Sequence, residues 1–573
     1  MENRLTIALG QHTDRGHKPS NQDFHGCHIP TGSMRDIKGI ALAMADGISS
    51  SDVSHIASET AVRAFLDDYY CTSDAWSVRH AMERVLTATN GWLHSQTQRS
   101  DARFDKNRGY VCTLSALVFK ADRAHLIHAG DTRIYRLNEA GLEQLTHDHR
   151  IWVSPEENYL SRALGIDETV ELDYRSVAIR PGDLFILATD GVYEHADTAF
   201  ILHCCQEYAD DLNEAARRII DHALYNGSND NLTLQIARVD SLPRATTPDF
   251  HATIADLPLP PVLEDRANFD GYTVLRELHA TSRSHVYLAE DPDSGERVVL
   301  KLPSIDLQQD EDYLERLLME EWIARRVHSA HVMKAGPQTR QRQYLYTVTE
   351  YIEGQTLKQW LADNPQPDLE TVRGLVEQIS KGLYALHRME ILHQDLKPDN
   401  VMINTHGTVR LIDLGAARVA GIEEARTDHD PLALPGTALY MAPEYFIGEV
   451  GTARSDLYSL AVLTYHLLSG RFPYGPDVAK AKTAAAQRTL KYRSVLDDER
   501  PIPAWIDETL KKALHPNPDK RYQELSEFTY DLRHPNKAYL NKTRPPLLER
   551  NPVAVWQGIS AVLAAAVVYL LVR

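Results

Sequence analysis

The sequence predicts a multidomain chain: two large mixed α/β regions, a proline-rich linker between them and a C-terminal transmembrane helix. Three observations lead there. The 573 residues, 43% hydrophobic and 25% charged, are ordinary globular material with more length than one core organises, so three or four domains, or two large ones with extras, are expected. Residues 241–268, "SLPRATTPDFHATIADLPLPPVLEDRAN", are rich in proline and lack clean periodicity, which marks a break. Residues 553–572, "VAVWQGISAVLAAAVVYLLV", carry no charge. Twenty residues of helix span roughly 30 Å, the thickness of a hydrocarbon core.

In the first region, 5–240, the stretches "GIALAMADG" (39–47), "TLSALVFK" (113–120), "DLFILATDG" (183–191) and "NLTLQIARV" (231–239) are apolar runs or alternations that suit strands. "RAHLIHAGDTRIYRLN" (123–138) reads as strand, tight turn at Gly130–Asp131, strand. Helical patterns fall near 55–70, 76–98 and 211–225. The second region, 269–533, opens on strands, continues with a helix near 311–328 and is then mostly helical. A basic segment, 534–552, precedes the apolar stretch. Lys537, Lys542, Arg544 and Arg550 lie before that stretch and only Arg573 follows, so the positive-inside bias puts both regions in the cytosol. A buried or oligomerising helix is the other reading of 553–572.

The net charge of −19 argues against nucleic acid as a partner, because such binding needs a basic face. The five cysteines, Cys27, Cys71, Cys112, Cys204 and Cys205, form no C-x-x-C pair, which fits a reducing compartment and no zinc site. The 26 histidines show no ligand spacing, and "MENRLTIALGQ" is too polar for a signal peptide.

Several aspartates of the first region sit where strands end: Asp46 after "ALAMA", Asp190 after "LFILAT" and Asp131 in "HAGDTR". Asp23 lies in "SNQDF" and Asp230 in "SNDNLT". A strand end is rigid and can project a carboxylate into a shared cleft, and Gly47 and Gly191 let backbone or ions approach closely. Carboxylates that converge without histidine or cysteine suit hard cations such as Mg2+ or Mn2+.

These signals, with "TDRGHKPSNQD" (13–23), "MADG" (44–47), "GYVCTLSALV" (109–118), "LTHDH" (145–149), "SRALG" (161–165) and "LATDGVYE" (187–194), run in the order of the metal-dependent protein phosphatases of type 2C, which residues 5–240 resemble. The resemblance implies a four-layer α/β domain, a β-sandwich flanked by helices. It implies two or three metal ions held by Asp23, Asp46, Asp190 and Asp230 with the Gly47 carbonyl, and Asp131 at the position linked to a third. It also implies hydrolysis of phosphoserine and phosphothreonine by a two-metal hydroxide mechanism without a phosphoenzyme. Lys18 stands where many members bind phosphate with arginine, which keeps the charge but loses the fork. Ile48 stands where some relatives place a histidine proposed as general acid. A metal-free domain kept for binding is the alternative.

In the second region, "HQDLKPDN" (393–400) sets a carboxylate, a lysine and an asparagine at phosphoryl-transfer spacing. Asp395 can orient and deprotonate a hydroxyl, and Lys397 can neutralise the group in transit. Asn400 and the Asp413 of "LIDLG" can hold metal. Lys301 in "RVVLKLP" can contact nucleotide phosphates. It needs a carboxylate partner, and "YLERLLMEEWIARRV" offers Glu315, Glu320 and Glu321; counting back from "SAHV" (329–332) picks Glu320, with Glu321 the runner-up.

This set resembles the eukaryotic-type serine/threonine protein kinases over 269–533, which implies a bilobal α+β domain using ATP with Mg2+. "VTEYIEGQTL" (348–357) matches the nucleotide hinge and so places Glu350 and Ile352 against ATP, beside Val286. "GTALYMAPE" (436–444), "SDLYSLAVLTYHLLSGRFPY" (455–474) and "NPDKRYQ" (517–523) extend the match. Asp456 then supports the catalytic loop and Glu444 pairs with Arg521. Lys397 and Thr437 are features of serine/threonine specificity. Two departures matter. Gln394 replaces the arginine whose charge usually awaits a phosphate on the activation segment, so the kinase is expected to be competent without one, and Thr427 and Thr437 test this. The glycine-rich loop carries His279, Thr281 and Ser284 instead of glycines, so weaker nucleotide affinity is expected.

The leading expectation is a bifunctional enzyme that writes and erases phosphate on protein serine or threonine. The alternative is an active phosphatase regulated by a nucleotide-sensing pseudokinase or scaffold. A linker of about 28 residues reaches roughly 30 Å, giving effective concentrations on the order of millimolar, so each catalytic region can count the other among its partners. The phosphatase–kinase–anchor order occurs in bacterial members of the family, which implies a single-pass protein of the bacterial inner membrane.

Overall fold

The computed structural model describes residues 4–105, 108–138, 141–154, 157–243, 257–307, 310–337, 340–425, 437–497, 502–536 and 552–572. Residues 244–256 of the linker, most of the basic segment 534–552 and Thr427 lie outside the described residues. The chain divides into one unit of Met1–Asp249 with Ala420–His429 and another of Phe250–Val419 with Asp430–Arg573.

The first unit is built on two five-stranded antiparallel sheets. One runs in the order Thr6–Asp14, Leu232–Ser241, Leu184–Ala188, Arg133–Asn138, Gly141–Gln144. The other runs Asp173–Ala178, Arg123–Ala129, Leu114–Lys120, Ile40–Asp46, Asp23–His28. The period of two in "IALAMAD" explains the layering. Ile40, Leu42 and Met44 pack with Phe119, Phe185, Leu187 and Val239 between the sheets, where Phe119 meets Phe185 edge-on at 5.1 Å. Ala41, Ala43 and Ala45 face the other way, and their small side chains let helices Ser54–Cys71 and Val78–Arg99 close on that sheet through Phe65, Met82 and Leu86. Helices Thr198–Glu207 and Leu212–Tyr225 cover the opposite sheet through Ile201, Ile219 and Ile220. Two sheets between two helical layers make the four-layer sandwich.

The stretches 123–129 and 133–138 are strands joined by a turn, as the sequence reads, and they do not pair with each other: the first pairs with Leu114–Lys120, the second with Leu184–Ala188. The turn between them carries the chain from one sheet to the other. Gly130 takes φ 119° there, and a Cβ on it would overlap the Thr113 side chain.

The second unit begins with a five-stranded antiparallel sheet in the order Asn268–Phe269, Tyr272–Ala280, Ser284–Glu290, Arg297–Pro303, Thr347–Glu350, with helix Glu311–Arg326 against it. Phe269, Tyr272, Tyr287, Leu300, Tyr346 and Val348 form its core. The rest is helical, around the buried helix Ala453–Ser469 and helices Leu369–His387, Ala504–Ala513 and Leu525–Arg533. A three-stranded sheet, Gly354–Thr356, Val401–Asn404 and Val409–Leu411, carries Asn400 and Asp413 at its ends.

The C-terminal membrane anchor is corrected. A helix forms at Pro552–Val572, yet among the described residues no helix is long and apolar enough to cross a membrane. Gln557, Gly558 and Ser560 interrupt its apolar run with polar and small residues. The transmembrane element of the fold class, the membrane as a partner and the single-pass inner-membrane placement are withdrawn with it.

Candidate functional sites

In the first unit, strand pairing sets Asp23 directly opposite Asp46, at the end of both strands. Asp190 opens the short helix Asp190–Tyr193 after strand Leu184–Ala188. Asp230 precedes strand Leu232–Ser241, and Asp131 sits in the crossover between the sheets. Close approach explains the glycines beside them. A Cβ on Gly47 would lie 2.8 Å from the Ser54 carbonyl oxygen and 2.9 Å from that of Gln22, and one on Gly191 would overlap the Asn231 carbonyl oxygen.

The acids feel one another. Burial, then the charges of Asp23, Asp190, Asp131 and Asp230, hold the Asp46 carboxyl well above the usual carboxylate range. Burial raises Asp23 to about 6, although Thr233 and Thr189 donate to its Oδ2 at 2.7 and 3.0 Å. Burial and the charges of Asp131 and Asp230 raise Asp190 to about 7 against the pull of Arg150. Asp23 Oδ1 is buried with no hydrogen-bond partner. Mutually repelling oxygens with an orphaned acceptor are a donor set that fits hard cations. Among the described residues, however, no group of three or more histidine, cysteine, aspartate or glutamate side chains is already set to hold a metal ion. Side-chain cations stand among the acids instead. Lys18 Nζ lies 3.2 Å from Asp230 Oδ1 and donates to Ser49 Oγ at 3.0 Å. Arg150 donates to Asp131 at 2.5 Å, to Asp190 at 2.8 Å and to Glu194 at 2.7 Å.

Residues around this cluster escaped sequence reasoning. Asn231 accepts from the Gln22 backbone at 2.8 Å and donates to the Arg15 and Ser20 carbonyls at 2.9 and 3.0 Å, stapling the loop before Asp23 to the Asp230 loop. His149 accepts from Gly130 N–H at 3.1 Å on Nδ1, which leaves Nε2–H to donate to Asp173 at 3.0 Å and fixes the tautomer. Tyr193 donates to the Asp131 carbonyl at 2.9 Å. The signal for Arg150 is its place directly after "LTHDH"; the threonines carry none.

In the second unit, Lys301 is paired across the sheet with Val286 and Thr347. Its ammonium donates to Glu320 at 2.6 Å and to Asp413 at 3.1 Å. Burial alone would lower the lysine's pKa; the Glu320 and Asp413 carboxylates overcome this and raise it. Glu321 points elsewhere, to Arg325 and, at 2.6 and 2.8 Å, to Arg342. Among the three glutamates, Glu320 is therefore the one on Lys301.

Asp395 accepts from Lys397 at 2.6 Å, from Asn400 at 2.9 Å and from the Thr437 backbone at 3.0 Å. The Asn400 carbonyl accepts from Ile412 N–H at 2.9 Å, tying this loop to Asp413. Buried Asp456 takes His387 at 2.8 Å and the backbone of His393 and Gln394 at 2.9 and 3.0 Å. Gln394 and Asp413 hold left-handed φ values of 63° and 59°, a conformation that costs a non-glycine residue about 1–2 kcal/mol and recurs at functional loops. Thr281 and Ser284 close the turn between strands Tyr272–Ala280 and Ser284–Glu290: Thr281 N–H donates to the Ser284 carbonyl at 2.9 Å and Ser284 N–H to Thr281 Oγ1 at 3.0 Å. Ile352 is buried, and the Glu350 carboxylate is committed to Lys334 N–H at 2.8 Å and to Arg410, which leaves backbone for any hinge role.

Comparison with known proteins agrees with this division. Residues 272–531 match the protein kinase domain model and residues 11–226 the protein phosphatase 2C model. The chain thus carries a protein kinase domain and a type 2C phosphatase domain, families that in general use ATP with Mg2+ and Mg2+ or Mn2+ respectively. The serine/threonine-protein kinase PrkC of Bacillus subtilis is 26% identical over 270 residues, 46% of this chain and 40% of PrkC's length. Among solved structures, the Mycobacterium tuberculosis serine/threonine phosphatase PstP/Ppp is 24% identical over 41% of this chain and 99% of its own, with a TM-score of 0.35. The kinase domain of M. tuberculosis PknI is 24% identical over 48% of this chain and 99% of its own, with a TM-score of 0.37.

Proposed function

We propose that the chain transfers phosphate from ATP to serine or threonine of protein substrates with residues 269–533, and hydrolyses phosphoserine and phosphothreonine with residues 5–240. The observation that carries the reading is that one polypeptide assembles both charged clusters: Lys301 on Glu320 and Asp413 in one unit, and five mutually repelling aspartates in the other.

In the kinase, Lys301 contacts the nucleotide phosphates, and Glu320 holds it in place. Asn400 and Asp413 would hold Mg2+ with ATP. Asp395 orients the acceptor hydroxyl and takes its proton, while Lys397 offsets the charge of the phosphoryl group in transit. Val286 and Ile352 wall the base, and Thr281 and Ser284 stand over the phosphates. In the phosphatase, Asp23, Asp46, Asp190, Asp230 and the Gly47 carbonyl would hold two divalent ions, with Asp131 at a third. Those ions, when bound, supply Lewis acidity and an activated water. Lys18 draws the phosphate of the substrate toward Asp230. Thr189 and Thr233 fix the orientation of Asp23, leaving Oδ1 free to ligate.

The test is radiolabelled ATP with full-length protein in an Asp190→Asn background, with and without Asp395→Asn. Transfer that depends on Asp395 supports the kinase reading. No transfer in the Asp190→Asn protein, with phosphopeptide hydrolysis intact in wild type, overturns it in favour of a nucleotide-sensing domain that regulates a phosphatase.

A further inference from the structure

Arg150 opens strand Arg150–Ser154 and its side chain is only 8% exposed. Each nitrogen of its guanidinium faces a different carboxylate: Nε with Asp131 at 2.5 Å, Nη2 with Asp190 at 2.8 Å, Nη1 with Glu194 at 2.7 Å. The three acids come from separate places in the chain, the sheet crossover and the two ends of the helical turn after strand Leu184–Ala188. Two of them, Asp131 and Asp190, belong to the set assigned above to divalent ions. A carboxylate oxygen engaged by a buried guanidinium cannot present the same lone pairs to a cation. Asp23 is not among the acids Arg150 engages, and its Oδ1 has no hydrogen-bond partner.

We propose that Arg150 is a built-in counter-cation that competes with a divalent ion for Asp131 and Asp190, so that loading of the phosphatase at those two acids requires the guanidinium to leave. The inference rests on the metal reading of the phosphatase cluster. Its consequence is a metal affinity set by the chain itself. With metal absent, Arg150 balances the charge of three acids and keeps the cluster folded. With metal present, it is released at the edge of the site while Glu194 stays beside it. Binding to a state that is open only part of the time weakens the apparent affinity by the open fraction; an open fraction of about one tenth costs about tenfold.

The experiment uses metal-stripped full-length protein. Mn2+ binding is followed by the electron paramagnetic resonance signal of the free ion and by calorimetry, in wild type, Arg150→Ala and Arg150→Lys, each alone and with Asp131→Asn. Arg150→Ala is expected to bind one Mn2+ equivalent about tenfold more tightly than wild type. Arg150→Lys, with one ammonium in place of a three-way fork, falls between them, and the Asp131→Asn background abolishes the gain. The metal-free melting temperature of Arg150→Ala drops below wild type, and saturating Mn2+ closes the gap. Equal or weaker Mn2+ binding by folded Arg150→Ala and Arg150→Lys overturns the proposal while leaving the metal reading intact. No Mn2+ binding by wild type or either variant overturns both.

Discussion

The two adjacent glutamates of helix Glu311–Arg326 give the sharpest prediction. Glu320 and Glu321 are equally buried, at 5% exposure each, and differ by one position. Glu320 holds Lys301 at 2.6 Å; Glu321 holds Arg342 through both oxygens and Arg325 through one. Glu320→Gln keeps the shape and a hydrogen-bond acceptor but removes the charge. A charge-assisted bond contributes about 1.5–3 kcal/mol net. At about 1.4 kcal/mol per decade, that is roughly 10–150-fold in kcat/KM for ATP. The loss stays below that of Lys301→Ala because Asp413 still accepts from Lys301 at 3.1 Å. Glu321→Gln leaves Lys301 untouched and acts on the fold, costing about 2 kcal/mol of stability through its two arginines. The assay is initial-rate phosphoryl transfer from radiolabelled ATP in the Asp190→Asn background, paired with urea unfolding. If Glu321→Gln loses more transfer than Glu320→Gln, or Glu320→Gln stays within about twofold of its parent, the argument from Lys301's partners is wrong.

Further outcomes follow from other contacts. Arg521→Leu strips the buried Glu444 of a two-bond partner at 2.8 and 2.7 Å and should cost about 3–5 kcal/mol in urea unfolding, with much of it recovered in the Arg521→Leu, Glu444→Leu double variant. Thr281→Ala removes the acceptor for the Arg283 and Ser284 backbone, so KM for ATP should rise about threefold with kcat unchanged. Burial lowers His125 to about 3 and His128 to about 4. Between those values and their unfolded value near 6.5, the unfolded chain binds protons that these folded histidines do not, so their contribution to stability is lost as pH drops through that window, while Asp23 and Asp190, raised to about 6 and about 7, contribute in the opposite direction. The difference in melting temperature between wild type and His125→Gln, followed from pH 7 to pH 4, checks this: it is expected to move in favour of His125→Gln as pH falls. Asp190→Asn should accumulate phosphate on residues 269–533 after incubation with ATP, read by mass spectrometry; phosphate no higher than in wild type argues against hydrolysis within the chain.

The alternation in "IALAMAD" made its strand legible, and the aspartates at strand ends could be named because strand ends point carboxylates at a common rim. Glu320 was reachable by counting because a helix fixes spacing. What escaped depends on distant partners. Arg150 reads as one more surface arginine until Asp131, Asp190 and Glu194 are folded around it. Thr189 and Thr233 have no motif, and their hydroxyls matter only because two strands bring them to Asp23. The run 123–138 reads correctly as strand, turn, strand, but local pattern cannot say which sheet each strand joins. At 553–572 the length and the missing charges suggest a span, but they give no weight to Gln557, Gly558 and Ser560 within the run, and among the described residues no helix is long and apolar enough to cross a membrane.

Gly191 carries a last consequence. With the Asn231 carbonyl pressed against the place where a Cβ would stand, the smallest possible side chain forces the Asp190 turn away from the Asp230 loop. Alanine there adds one methyl group and removes no charge, yet it pries two acids apart from behind. A geneticist scanning this gene would score it as a loss of catalysis in a residue without any chemistry of its own.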